Sequence, residues 1–254
     1  MKLTLGVCRT EAASEIFTNT EGKELFFMSG GYSNGLLNIT HTFDGWNWNS
    51  KQNLPEPVWE HCIVKINAST LLSIGGREYE YALAAYPSNS TYFYSVQDNK
   101  WTPGPSLNIP RSALSCSILQ WRNAETNGLE KVVVAAGGWN SEGNGSPSVE
   151  LLNLDHDGSI KGDWVLGPEL PKGAPGSTMI EYNNSVILIG GGLFTTVEQK
   201  INNKLNDFGY LDGLHLYQLF SPNGTWIQMK QTLKTRRKSH VAFLVPDELV
   251  NCHE

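Results

Sequence analysis

Leu71-Leu72-Ser73-Ile74-Gly75-Gly76 is a short apolar run that ends in a glycine pair, and the pattern recurs three times. The other copies are Leu25-Phe26-Phe27-Met28-Ser29-Gly30-Gly31, Val132-Val133-Val134-Ala135-Ala136-Gly137-Gly138 and Val186-Ile187-Leu188-Ile189-Gly190-Gly191. Each run is too short for a helix and is rich in strand-forming residues, so it reads as a buried strand. Working outward, a tryptophan follows each copy just after a polar turn: Trp46, Trp101, Trp164 and Trp226. A half-alternating strand lies between glycine pair and tryptophan, as in Tyr92–Val96, Val149–Leu154 and Leu214–Leu219. A further strand precedes the next glycine pair: His61–Ile66, Ser115–Leu119 and Thr178–Tyr182. Each unit therefore holds four strands, and no helix-length amphipathic stretch separates the units.

Composition agrees. The chain has 254 residues with 25 Gly, 12 Pro and 10% aromatic residues, but only 17% charged ones. That excludes collagen and disorder and fits a turn-rich β-protein. The uncharged apolar runs, such as Val132–Ala136, fall far short of the ~20 residues of a spanning helix. The net charge of −6 argues against a nucleic-acid binder. The one basic run, Lys230–Lys238, lacks interleaved aromatics and reads as a solvated loop.

The glycine pair followed by a tryptophan resembles the kelch repeat, over about residues 24–246. Pro110-Arg111-Ser112-Ala113 matches the arginine and small residues that precede strand one in that family, whereas Glu56–Glu60 and Lys172–Gly176 depart from it. The resemblance implies an all-β, kelch-type β-propeller of about four blades of four antiparallel strands around a central channel. The chain starts near a second strand and ends on a strand one, His240–Val245. The expectation is that this C-terminal strand completes the first blade, as in related propellers, and removes two open edges. Residues 1–23 are then an N-terminal extension or the remnant of an upstream blade, with Ala13–Thr18 resembling a stray third strand. Residues 247–254 form a tail.

Catalytic signals are weak. Gly143-Asn144-Gly145 lacks the third glycine and the helix of a dinucleotide fingerprint. Asp155-His156-Asp157-Gly158 lacks the remaining ligands of a calcium loop. The histidines at 41, 61, 156, 215, 240 and 253 show no metal-ligand spacing, and no nucleophile elbow occurs. The expectation is a non-enzyme without cofactor. The glycines, including Gly30, Gly31, Gly75, Gly76, Gly137, Gly138, Gly190 and Gly191, and the four tryptophans read as structural.

Loops between strands two and three, and between four and one, share one propeller face. Arg77–Ser90 carries Tyr79, Tyr81 and Tyr86, and Gly192–Gly213 carries Phe194, Phe208 and Tyr210. Trp139 opens a third loop, and Arg77, Arg111, Arg236 and Arg237 are expected on the same face. Aromatic residues and arginine on loops suit a protein-binding surface. The function expected is a non-catalytic, monomeric interaction scaffold with a protein partner. The alternatives are an extracellular kelch glycoprotein of matrix or cell surface, and a kelch-fold carbohydrate-active or copper enzyme.

Cys62 and Cys116 occupy what read as matching strand-one positions, hence buried free thiols. Ring closure would bring Cys8 and Cys252 together, so a Cys8–Cys252 disulfide is weighed against two unpaired thiols. Sequons at Asn38, Asn67, Asn89, Asn144, Asn183 and Asn223 exceed chance by about twofold. Met1–Val7 is too short for a secretory signal. The compartment therefore stays open: cytoplasmic with this start, extracellular if a leader lies upstream.

Overall fold

The computed structural model describes residues 8–19, 21–80, 84–123, 126–192, 215–235 and 239–242. Its strands form four antiparallel four-stranded sheets arranged as the blades of a propeller. The first blade is β1 (Ala13–Thr18), β2 (Glu24–Ser29), β3 (Thr40–Phe43) and β4 (Trp48–Lys51). The second is β5 (Cys62–Asn67) and β6 (Thr70–Ile74), then β9 (Thr91–Ser95) and β10 (Lys100–Pro103); between its second and third strands rises a hairpin of β7 (Arg77–Glu80) and β8 (Ala84–Pro87). The third is β11 (Ser115–Arg122), β12 (Leu129–Ala136), β13 (Val149–Leu154) and β14 (Val165–Leu166), and the fourth β15 (Thr178–Glu181), β16 (Val186–Ile189), β17 (His215–Leu219) and β18 (Ile227–Thr232).

The first blade corrects the closure expected from sequence. Ala13–Thr18 is its strand one, paired over all six residues with β2. The alternation explains why: Ala13 and Phe17 turn inward with Phe27, while Ile16 faces out. All four blades are thus contiguous in sequence, and residues 13–23 belong to the propeller rather than to an extension. His240–Ala242 is not in a strand, Val241 is 84% exposed, and Phe243–Val245 lies outside the described residues.

Three apolar clusters fill the contacts between successive blades. Phe17, Phe27, Leu71 and Tyr94 join the first to the second, Leu72, Ile74, Val133 and Leu152 the second to the third, and Val132, Val134, Val186 and Leu188 the third to the fourth. Burial of these residues is the main favourable contribution, at about 25 cal/mol per Å². A tryptophan seals each contact through its indole N–H. Trp101 donates to Gln52 O (2.9 Å), Trp164 to Pro105 O (2.9 Å) and Trp226 to Pro168 O (2.8 Å). In the first blade the equivalent residue is Trp48, not Trp46. Trp48 faces Phe43 across β3 and β4 as Trp101 faces Tyr94, whereas Trp46 is 70% exposed on the turn.

Gly75 and Gly76 show what the glycine pair does. Both have positive φ, 58° and 104°. A Cβ on Gly75 would lie 2.6 Å from Arg111 O of the next blade, and one on Gly76 would lie 2.7 Å from Trp59 O of its own strand-one approach. The pair lets two backbones close in at once, which no other residue permits. Gly30 and Gly31, and Gly137 and Gly138, repeat both approaches.

The cysteines also correct the sequence reading. Cys62 pairs with Ile74 and Ser115 with Ala136, so Cys116 stands one residue beyond the place of Cys62. One residue reverses the face of a strand. Cys62 therefore looks toward the third blade and Cys116 back toward the second, and they form a disulfide with Cα atoms 6.0 Å apart. Cys8 is a free, exposed thiol; Cys252 lies outside the described residues.

Candidate functional site

Two residues before each strand one the backbone is left-handed, and Ser239 repeats the geometry near the C-terminus. Glu11 (φ 53°), Glu60 (53°), Ala113 (50°), Gly176 (67°) and Ser239 (50°) form this series. Each after Glu11 donates its N–H to the carbonyl of the member before it: Glu60 to Glu11 (3.1 Å), Ala113 to Glu60 (2.8 Å), Gly176 to Ala113 (2.8 Å) and Ser239 to Gly176 (2.7 Å). This relay rims the central channel, and Ser239 is its last described member.

The residue after each glycine pair sits beside the relay: Tyr32, Arg77, Trp139 and Gly192. The first three exchange paired backbone hydrogen bonds with Thr10, Trp59 and Ser112, and Gly192 donates to Pro175 O. Backbone geometry here is constant while the side chains differ. Arg77 and Trp139 line a mouth of about 420 Å³ together with Glu11, Trp59 and Glu60 among others.

Tyr32 lies against Trp59 with ring centroids 5.0 Å apart. Arg77 Nε bonds Glu60 Oε2 at 2.8 Å and Ser112 Oγ at 3.0 Å. Its charge is thus already matched within the protein, and Glu11 adds a second carboxylate to the rim. The β7–β8 hairpin stands above, with Tyr86 48% exposed opposite Glu78. Burial pushes the Glu78 carboxyl above its ordinary pKa, and a bond from Ser88 Oγ (2.8 Å) opposes the shift.

Deeper in, the channel contains His61, whose Nε2 lies 3.0 Å from Ser29 Oγ. Burial, reinforced by the charge of Arg9, lowers its pKa to about 3, so it is neutral near pH 7. The Cys62–Cys116 bond lines a further cavity of about 360 Å³. Among the described residues, no cluster of three His, Cys, Asp or Glu is placed to hold a metal ion.

Of the residues expected on the binding face, Trp139 and Arg77 reach the mouth and Tyr86 the hairpin above it. Tyr79 lies within β7. Tyr81, Phe194, Phe208, Tyr210, Arg236 and Arg237 lie outside the described residues. Arg111 is a correction. It is 0% exposed, bonded to Gly137 O, Ser148 O, Ser148 Oγ and Glu150 Oε1, and it clamps its own blade. Burial lowers its pKa while Glu150 pulls the other way. Arg9 fills the same place in the first blade, reaching Gly30 O, Ile39 O and His41 Nδ1. Sequence reasoning missed Arg9, Tyr32, Trp59 and Glu60; distance from the glycine pair, or from strand one, was the signal that would have found them.

No family model matches the chain. It is 28% identical over 104 residues to the F-box/kelch-repeat protein At1g74510 of Arabidopsis thaliana, covering 41% of this chain and 20% of that protein. The chain thus matches only about a fifth of that relative's length. Its fold is similar to the solved structure of YjhT, with TM-score 0.64 and 14% identity over 91% of this chain and 72% of that one. No helix among the described residues is long and apolar enough to cross a membrane.

Proposed function

Because the chain is a kelch-repeat β-propeller, a fold commonly used for protein interaction, we propose that it binds a protein partner at the channel mouth without catalysing a reaction. The observation that carries this reading is the set of residues after the glycine pairs. The backbone there is fixed by paired hydrogen bonds at Tyr32, Arg77 and Trp139 and by a single one at Gly192, while the residues themselves differ. A constant frame with varied side chains is what a recognition surface needs, and aromatic residues and arginine supply most of the energy at such surfaces. Fold alone does not assign function, so the reading rests on the residues of the mouth. The Arg77–Glu60 pair leaves no unmatched positive charge between them, so recognition rests on aromatic contact and hydrogen bonding rather than on attraction of an acidic ligand. The chain acts as a monomer in this reading.

Replacing Tyr79, Tyr81 and Trp139 together by alanine tests it. Partner capture from the native source should fall at least tenfold while the thermal midpoint moves by no more than a few degrees. Unchanged capture would contradict the proposal.

A further inference from the structure

Two features unused by the mouth point to one conclusion. The first is the disulfide, which joins the innermost strands of two successive blades across 54 residues of sequence. The second is how the structure sorts the six sequons. Asn38 and Asn89 occupy equivalent places, and their side-chain amides donate to Leu54 O (3.3 Å) and Leu107 O (3.2 Å), tying the exit of each fourth strand. Asn67 donates to Asp157 O of the next blade at 3.1 Å. At each of these three, the amide nitrogen that would carry a glycan is already engaged in a bond the fold uses. Asn144 donates to Glu142 and lies beside the mouth.

Asn183 and Asn223 differ. Asn183 is exposed at the tip of the β15–β16 turn, where both it (φ 48°) and Asn184 (φ 55°) take the left-handed conformation asparagine tolerates. Asn223 is exposed in the β17–β18 turn. Strand alternation puts both turns on the face opposite the mouth, so a glycan on either leaves the proposed binding surface clear.

We propose that this protein matures in an oxidising, glycosylating secretory compartment, where Cys62 and Cys116 are bridged and Asn183 and Asn223 carry N-linked glycans. Bridging removes one proton and one electron from each thiol. The two electrons pass to the disulfide of an oxidoreductase, which leaves as a dithiol. In glycosylation the amide nitrogen of asparagine bonds the anomeric carbon of a lipid-linked oligosaccharide, loses one proton, and expels the lipid diphosphate. A cytosol that keeps thiols reduced would supply neither step.

The test is peptide mapping of the full protein from its native source. Thiols are alkylated without reduction, and glycans are then removed enzymatically in heavy-oxygen water. The expected result is a cross-linked pair of peptides containing Cys62 and Cys116, with heavy-oxygen aspartate at positions 183 and 223 and none at 38, 67 or 89. In the same cells, Asn183→Gln with Asn223→Gln should remove two discrete mobility steps. Alkylated Cys62 and Cys116, or unmodified Asn183 and Asn223, would overturn the inference. So would occupancy at Asn38 or Asn89, since it would break the sorting on which the inference rests.

Discussion

Arg77 Nε and Glu60 Oε2 meet at 2.8 Å on the rim of the channel, joining the residue after one glycine pair to the left-handed residue that begins the same blade. Both side chains keep some contact with solvent, so the pair is screened and contributes little to stability. Glu60→Gln should cost less than ~1 kcal/mol in urea unfolding. It should also make partner binding more salt-dependent, because Arg77 is then unmatched. A loss of several kcal/mol would mean that the pair is part of the core rather than of the mouth.

Arg111 and Glu150 behave in the opposite way. Their ion pair, 2.9 Å long, is wholly buried, and Glu150 also accepts from Asn108 N, Asn108 Nδ2 and Ile109 N. Arg111→Ala leaves a buried carboxylate with partial compensation and should cost about 3–5 kcal/mol. The urea midpoint reads this directly. Any loss of binding in that variant reflects unfolding, not a lost contact.

His61 sets a pH dependence. Its pKa is about 3 in the fold against 6.5 ordinarily, chiefly through burial and secondarily through Arg9. Between those values the unfolded chain binds the extra proton, so stability is full above about pH 6.5 and falls as pH drops toward 3, by up to roughly 1.4 kcal/mol per unit. Three carboxyls whose pKa partial desolvation raises, Glu15, Glu78 and Glu181, work in the opposite direction. The difference between wild type and His61→Gln isolates the histidine: the variant should lose stability less steeply on acidification. Parallel curves would show that His61 does not contribute.

The tryptophans separate seal from ornament. Trp101→Phe loses the bond to Gln52 O within a packed inter-blade contact and should cost about 1–3 kcal/mol. Trp46→Ala, on an exposed turn, should stay within about 0.5 kcal/mol. Equal losses would contradict the assignment of Trp48 as the first-blade equivalent.

Much of this architecture was legible in the sequence because the repeat is carried by residues with few substitutes. Only glycine fits the double approach at Gly75 and Gly76, and the strand runs are too apolar to sit elsewhere. What escaped depended on register or on partners distant in sequence. The inward alternation of Ala13 and Phe17 becomes visible only against Phe27. A one-residue offset turned Cys62 and Cys116 from equivalent positions into facing ones. Arg111 was placed on the binding face because an arginine in a loop reads as exposed, although its carboxylate lies 39 residues away. Tyr32 and Trp59 belong to different blades, and nothing local announces that their rings meet.

The central claim is that a partner sits on the channel mouth. Site-specific photo-crosslinking tests it most directly, with a benzophenone amino acid placed singly at Tyr32, Tyr86 or Trp139, and at Tyr182 or Phe220 on the opposite face. In material from the native source, the three mouth positions should crosslink one common protein and the two opposite positions should not. Crosslinking of that protein from Tyr182 and Phe220, with none from the mouth, would contradict the account.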